Sequence, residues 1–195
     1  MKVLVIYAHP VEGSYTSACR DRLLAGLDAA QHDVRLHDLH AEDFRPELSA
    51  QERTDQFASP DTKPDIAPHA ADLQWCDALV LVYPTWWSGQ PAMLKGWIDR
   101  VWVHGVAYDL PEGANRIRPR LTNIRRIAAV TTHGSPKWIN MAQGEPGKRI
   151  VTRSIRLLCS RRTRTSWVAL YGIDTADDRS RARFLDRVER FGRSL

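Results

Sequence analysis

The sequence predicts a three-layer α/β fold, with a doubly wound parallel sheet of five strands in the order 2-1-3-4-5 and helices on both faces. Three observations predict it. Apolar runs alternate with segments of helical period from end to end. The strand-like runs fall short of the eight units a parallel barrel requires. The 195 residues, 43% hydrophobic and 26% charged, suffice for one well-packed domain and are too few for two, so residues 1–195 are expected to form a single domain.

The first strand, 2–7, is the run Val3-Leu4-Val5-Ile6-Tyr7. It leads through Ala8-His9-Pro10-Val11-Glu12-Gly13 into Ser14-Tyr15-Thr16-Ser17, hydroxyls gathered at the start of a helix over 15–29. A helix N-terminus presents unpaired N–H donors and a positive dipole end, so these hydroxyls suit a phosphate; Ser14 or Thr16 would equally serve as an ordinary N-cap. The spacing is neither Gly-x-Gly-x-x-Gly nor a Walker loop, which argues against a Rossmann dinucleotide site and a P-loop nucleotidase. A second strand, 33–37, precedes an irregular stretch from His40 to Pro64, with Phe44 and Leu48 as its available anchors. Loops of that length in a compact domain are usually functional or partly disordered.

A helix over 65–75 returns the chain to a third strand, 77–83, with the apolar run Ala78 to Tyr83. There follow Pro84-Thr85-Trp86-Trp87-Ser88-Gly89 and a helix over 91–103, begun at Pro91, whose fixed φ suits a first helical turn. Ligands of open α/β sheets sit at the carboxyl ends of strands, so adjacent tryptophans there suit a flat heteroaromatic ring, although alone they could simply fill core gaps. Val101, Trp102 and Val103 continue the apolar character of Ile98 past one buried stripe, which predicts association through the 91–105 helix. A second irregular stretch, Tyr108 to Asn123, holds the turn signal Leu110-Pro111-Glu112-Gly113. The fourth strand, 125–131, runs into Thr132-His133-Gly134-Ser135-Pro136, where glycine permits close backbone approach to a ring edge. A helix over 147–159, a strand over 165–171 and a helix over 175–192 complete the pattern.

Composition narrows the function. No apolar stretch approaches the ~20 residues of a membrane span, and Met1-Lys2 leads directly into a strand, so a cytoplasmic protein that is not membrane-embedded is expected. Cys19, Cys76 and Cys159 lack the paired spacing of a metal or disulfide framework, so reduced structural thiols and no metal site are expected. The net charge of +5 is concentrated between Lys148 and Arg164, with seven basic residues and no acidic one. Such a run reads as a solvated face or a lure for an anionic ligand; with no nucleic-acid-binding motif beside it, nucleic acid is not expected as a partner. Ser88 and Ser135 have no evident base, which argues against a hydrolase.

Tyr7-Ala8-His9-Pro10, the Ser14 to Ser17 turn, Pro84 to Ser88 with Pro91 to Val101, and Thr131-Thr132-His133-Gly134 together resemble the NAD(P)H:quinone oxidoreductase family of flavodoxin-like flavoproteins, over residues 2 to about 147. That family includes bacterial drug-activity modulators and ancillary subunits of potassium efflux systems. The resemblance implies a homodimer that binds FAD or FMN, with hydride passing from NAD(P)H through the flavin to a quinone-like acceptor. The long His40 to Pro64 stretch favours FAD. Carried over, His9, Ser14, Tyr15, Thr16 and Ser17 would meet the phosphate. Pro84, Thr85, Trp86, Trp87 and Ser88 would hold the flavin ring from one side, and Thr131, Thr132, His133 and Gly134 from the other. Tyr108, reaching the partner's flavin, and Trp138 are the substrate-binding candidates.

Two departures stand out. His133 replaces the first glycine of the family's usual Thr-Thr-Gly-Gly, and the tyrosine and histidine that animal quinone reductases place downstream are absent. His133 or Lys137 would then have to compensate charge at the flavin's N1–O2 edge. Lys137 and Lys148 should lie near the nicotinamide donor, and Arg161, Arg162 and Arg164 at the opposite edge of the sheet. The rival readings are a flavin-binding regulatory subunit of a membrane transporter and a one-electron carrier of the flavodoxin type. The basic balance counts against the second.

Overall fold

The computed structural model describes residues 1–55, 63–111, 113 and 115–195. In chain order the elements are β1 (Lys2–Tyr7), α1 (Tyr15–Ala29), β2 (Asp33–Asp38), α2 (Ala50–Thr54), α3 (Ala67–Trp75), β3 (Ala78–Thr85), α4 (Ala92–Val101), β4 (Tyr108–Asp109) and β5 (Arg118–Pro119). They continue with β6 (Arg126–His133), α5 (Lys137–Ala142), α6 (Pro146–Arg149), β7 (Arg164–Tyr171) and α7 (Asp178–Arg193). β2-β1-β3-β6-β7 form one parallel sheet in that order, which is the predicted 2-1-3-4-5.

The inner strands are apolar without interruption because both faces are covered, and period-2 alternation sorts their side chains into two cores. Val3, Val5, Tyr7, Val80, Val82, Ala128 and Val130 pack beneath α1 and α7. Leu4, Ile6, Leu79, Leu81, Tyr83, Ile127 and Ala129 pack on the other face against residues of α3 and α4, among them Leu73, Leu94 and Trp97. On the first face α1 and α7 meet backbone to backbone. A Cβ on Gly26 would sit 2.2 Å from the Glu189 carbonyl oxygen, and one on Gly192 2.7 Å from that of Leu23. Only glycine admits that approach at both positions.

The two stretches expected to be irregular contain regular structure. In the first, Ser49 and Glu52 form a reciprocal capping box that starts α2. Arg100 of α4, almost wholly buried, fastens the stretch by donating to the Arg45 carbonyl at 2.5 Å, Glu52 Oε1 at 2.8 Å and Asp65 Oδ2 at 2.6 Å. Against the opposing effect of burial, the Ser49 backbone N–H first and then Arg100 hold the Glu52 carboxyl down to about 2. Gly96 gives Pro46 room, since a Cβ there would lie 2.3 Å from the Pro46 carbonyl oxygen. In the second stretch β4 and β5 pair as a two-residue antiparallel ribbon. Residues 56–62 of the first stretch, and Glu112 of the expected turn in the second, lie outside the described residues.

Three further features differ from the sequence pattern. The helix expected over 147–159 is a turn of α-helix at α6, a wider π-type turn over Ile150–Ser154 and a tighter 3-10 turn over Ile155–Leu158. Its β-branched run Ile150-Val151-Thr152 crowds a regular α-helix. α5 was not anticipated, being too short to show a period. Val101 is fully buried and Trp102 is 7% exposed within the single chain, its ring edge-on to Trp97 at 6.4 Å, so the apolar end of α4 fills the protomer's own core and gives no argument for association.

Candidate functional site

The loops after β1, β3 and β6 meet at the carboxyl edge of the sheet, because those three strands are neighbours in the sheet order. The rings of His9 and Trp86 lie 6.2 Å apart, which joins the first loop to the second. A pocket of about 630 Å³ joins the second to the third, lined by Thr85, Trp86, Trp87, Ser88, His133, Gly134, Ser135, Pro136, Asn140, Gln143 and Asp174. That is the size of a small-molecule site.

The second loop is a tight hairpin. Trp86 and Gly89 exchange both backbone hydrogen bonds, at 3.2 and 3.0 Å, and the turn residues Trp87 and Ser88 have φ of +50° and +62°. Two consecutive left-handed residues make this the turn that normally takes Asn-Gly; with Trp-Ser it stores strain, which persists only where surrounding structure imposes it. Here the 143–147 segment does so. Ser88 Oγ donates to Gln143 Oε1 at 2.6 Å, Gly147 N–H donates to the Ser88 carbonyl at 3.0 Å, and Gln90 Nε2 donates to the Gly147 carbonyl at 3.0 Å. The result presents Trp86, 46% exposed, and Trp87, fully exposed, at the mouth of the pocket. Pro84 belongs to β3 itself, opposite Thr132 in β6.

The third loop is organised by His133, buried at the end of β6. Asn140 Nδ2 donates to the carbonyls of Ser135 and Pro136, at 3.2 and 2.9 Å, which turns its oxygen toward His133 Nδ1 at 2.8 Å. Nδ1 therefore carries the imidazole proton, and Nε2 accepts, 3.4 Å from Thr85 Oγ1, which also lies 2.9 Å from Thr131 Oγ1. The ring stacks on Tyr171 at 4.4 Å. Burial lowers the His133 pKa below the ordinary histidine value, outweighing the Asn140 hydrogen bond and the Glu145 charge. Without a ligand, His133 is thus a neutral, positioned imidazole. Lys137 is the exposed alternative at the start of α5. Lys148 is paired with Glu145 at 2.8 Å.

The first loop is built differently. Ser14 Oγ accepts from Ser17 N–H at 3.1 Å, so Ser14 serves as the N-cap of α1, and Ser17 Oγ donates back to the Ser14 carbonyl. The Tyr15 side chain turns away, its hydroxyl donating to the Arg181 carbonyl of α7 at 2.8 Å, which leaves its backbone N–H in the first turn of α1. Thr16 is buried in the first turn. His9 Nδ1 accepts from Val11 N–H at 3.0 Å, and burial lowers its pKa. Tyr7, below this loop, has a buried hydroxyl with no hydrogen-bond partner among the described residues, under the Arg20 guanidinium at 4.7 Å from its ring.

Of the other candidates, Trp138 is 70% exposed on α5 and Tyr108 lies half-buried in β4, outside the pocket's lining. The residues that sequence reasoning missed are Asn140 and Gln143, which orient the loops, and Asp174, whose carboxylate would lie 2.7 Å from a Cβ on Gly134. Nothing in their local sequence marks them; they arrive by topology. Among the described residues no helix is long and apolar enough to cross a membrane.

Known proteins were compared with this geometry. Smu.1420 from Streptococcus mutans superposes with a TM-score of 0.85 at 28% identity, covering 100% of both chains. The NAD(P)H:quinone oxidoreductase from Methanothermobacter marburgensis superposes at 0.81 with 28% identity, covering 100% of this chain and 98% of that one. An NAD(P)H oxidoreductase of Haemophilus influenzae is 37% identical over 115 residues, 58% of this chain and 56% of that protein. The chain thus spans about half the length of the curated relatives it matches. The model of the family described as having a flavodoxin-like fold matches residues 1–190, and the chain belongs to that family.

Proposed function

We propose that the crevice holds a flavin, FAD or FMN, and that the protein is a flavin-dependent NAD(P)H oxidoreductase reducing quinones or similar two-electron acceptors. The observation that carries this reading is the strained Trp86 to Gly89 hairpin, clamped so that aromatic surface borders a pocket whose far side is His133 and Gly134. The residues fit the group. Gly134 carries no side chain at the pocket wall, and the first-turn N–H groups of α1 lie on the phosphate side. The names of the relatives, NAD(P)H oxidoreductases and quinone reductases, support the same reading.

In this proposal the His9 loop and the start of α1, through Ser14, Thr16 and Ser17, hold the phosphate. Pro84, Thr85, Trp86, Trp87 and Ser88 hold one side of the ring, and Thr131, Thr132, His133 and Gly134 the other. A bound flavin supplies the two-electron chemistry, taking hydride from NAD(P)H and giving it to the acceptor. His133, its proton fixed on Nδ1, leaves Nε2 as the acceptor that orients the Thr85 hydroxyl. Lys137, exposed at the start of α5, serves the donor's phosphate. A homodimer is part of the proposal, since Tyr108 lies outside this chain's own pocket and would have to act on a second copy's; light scattering that finds only monomer at micromolar concentration removes that part. The decisive test is reconstitution with excess FMN and FAD, followed by mass spectrometry of the flavin released on heating and by NAD(P)H oxidation with a quinone. A protein left colourless by both flavins would falsify the reading.

A further inference from the structure

Away from this crevice, His37 at the end of β2, Glu42 at the start of the long excursion and His69 in α3 bring three ligand atoms within 4.8 Å of one another. We propose that His37 Nδ1, the Glu42 carboxylate and His69 Nε2 form a site for a divalent first-row cation of the zinc type, which pins the excursion to the edge of the sheet. Two imidazoles and one carboxylate are a ligand set that suits this metal class, and a water completes the coordination.

The distances are close to those needed. His37 Nδ1 lies 3.0 Å from Glu42 Oε1, and His69 Nε2 lies 3.7 Å from Glu42 Oε2. Tetrahedral bonds of about 2.0–2.1 Å separate neighbouring ligand atoms by about 3.3 Å, so small side-chain rotations close the site. The outer partner of His37 is already in place. Its Nε2 donates to Asp72 Oδ2 at 2.9 Å, itself held by Arg35, while its Nδ1 donates to the Glu42 carboxylate at 3.0 Å, so a metal at Nδ1 takes the place of that proton and leaves the Asp72 bond intact. This carboxylate–histidine pairing is what fixes ring orientation in metal sites. His69 is buried and neutral at neutral pH; burial first, then the neighbouring His37, hold its pKa down to about 4.

A second contact opposes the metal and supplies a signature. Trp97 Nε1–H donates to His69 Nδ1 at 3.3 Å, so the neutral ring now carries its proton on Nε2. Ligation through Nε2 moves that proton to Nδ1 and breaks the indole bond. The metal competes with Trp97.

The test uses untagged, full-length protein, chelated and dialysed, titrated with zinc chloride by calorimetry and by thermal shift, with and without added flavin. Wild type should take up one equivalent with micromolar or tighter affinity and melt higher. His37→Ala and His69→Ala should each lose at least tenfold in affinity together with the thermal shift. Trp97→Phe, which removes the competing donor, should bind several-fold more tightly once circular dichroism shows it folded. If that variant does not fold, the visible spectrum of cobalt(II) on the wild type, tetrahedral and lost in His69→Ala, gives the same answer. No uptake by the wild type, or equal uptake by wild type and both histidine variants, overturns the proposal and leaves the flavin reading untouched.

Discussion

The two edges of the sheet carry different kinds of positive charge. At the amino edge, Arg125, Arg126, Arg162 and Arg164 line a hollow with Met1, and guanidinium groups stay charged at any working pH. At the carboxyl edge the potential cations are mostly histidines: His9 and His40 beside one hollow, His133 in the main pocket, and His37 and His69 where β2 meets α3. Two of these, His69 and His133, are buried and neutral. The net charge of +5 therefore says little about the crevice. The densest fixed charge sits where no chemistry is proposed, and the edge that would meet a cofactor carries fewer fixed cations, Arg20 beside the first loop and Lys137 beside the third.

Four experiments test that contrast. The largest effect concerns the layer beneath the carboxyl edge. Trp97 is wholly buried, so Trp97→Ala should cost about 4 kcal/mol of stability, read from denaturant midpoints, yet leave flavin affinity in the folded fraction nearly unchanged. Trp86→Ala should do the reverse, with about tenfold weaker flavin binding and a stability change within about 1 kcal/mol. Equal flavin affinity in both would place Trp86 outside the site.

Next comes acid. His69, whose pKa is held at about 4, and His133, also lowered, take up protons more readily unfolded, where histidine titrates near 6.5. Their contribution to stability is complete above that value and is lost as pH falls below it toward the folded pKa, by up to about 3 kcal/mol for His69. Unfolding free energies of metal-free protein between pH 7 and 4 should show this slope, flattened in His69→Gln; an unchanged slope would remove His69 as its source.

The third effect has the opposite sign. Trp87 holds a φ of +50° with its side chain in solvent, so Trp87→Gly should stabilise the fold by about 1 kcal/mol while raising the Michaelis constant for the acceptor. A fall in melting temperature would show that the turn is not strained. The smallest effect compares the edges directly. Lys137→Ala should raise the Michaelis constant for NADPH a few-fold and more than for NADH. Replacing Arg161, Arg162 and Arg164 together by alanine should change neither donor's constant by more than about twofold at moderate salt, where distant charges are screened. An arginine effect as large as that of Lys137 would mean the amino edge reaches the donor after all.

How much of this was legible in the sequence follows from the range of the forces involved. The main strands were readable, because strands buried on two faces spell themselves as runs such as Ala78 to Tyr83, whereas their order came only with the fold class they fit. The Ser49 to Glu52 capping box was also written locally, yet α2 is only five residues long and shows no period. The inward turn of Val101 and Trp102 was misread, since an apolar helix end looks the same whether it meets its own core or a second chain. At the site, the convergence of three loops follows from topology. The left-handed turn at Trp87 and Ser88 does not, because its sequence lacks glycine or asparagine and its geometry is imposed by Gln143 and Gly147 from 55 or more residues away. The pairing of His37 with His69 is likewise invisible until α3 folds back beside β2.

The glycine contact between α1 and α7 carries a consequence for how the protein comes to be. Tyr15 and Arg181, joined by a hydrogen bond across that contact, are 166 residues apart in the chain. During synthesis α1, whose Leu23 and Leu27 share a core with Phe184 and Val188 of α7, is made well before α7 and waits for all the strands between them before its partner exists. Contacts of such sequence separation make for slow folding, and the waiting apolar face is a natural place for a chaperone to hold the nascent chain or for a protease to begin on one that stops short of Asp178.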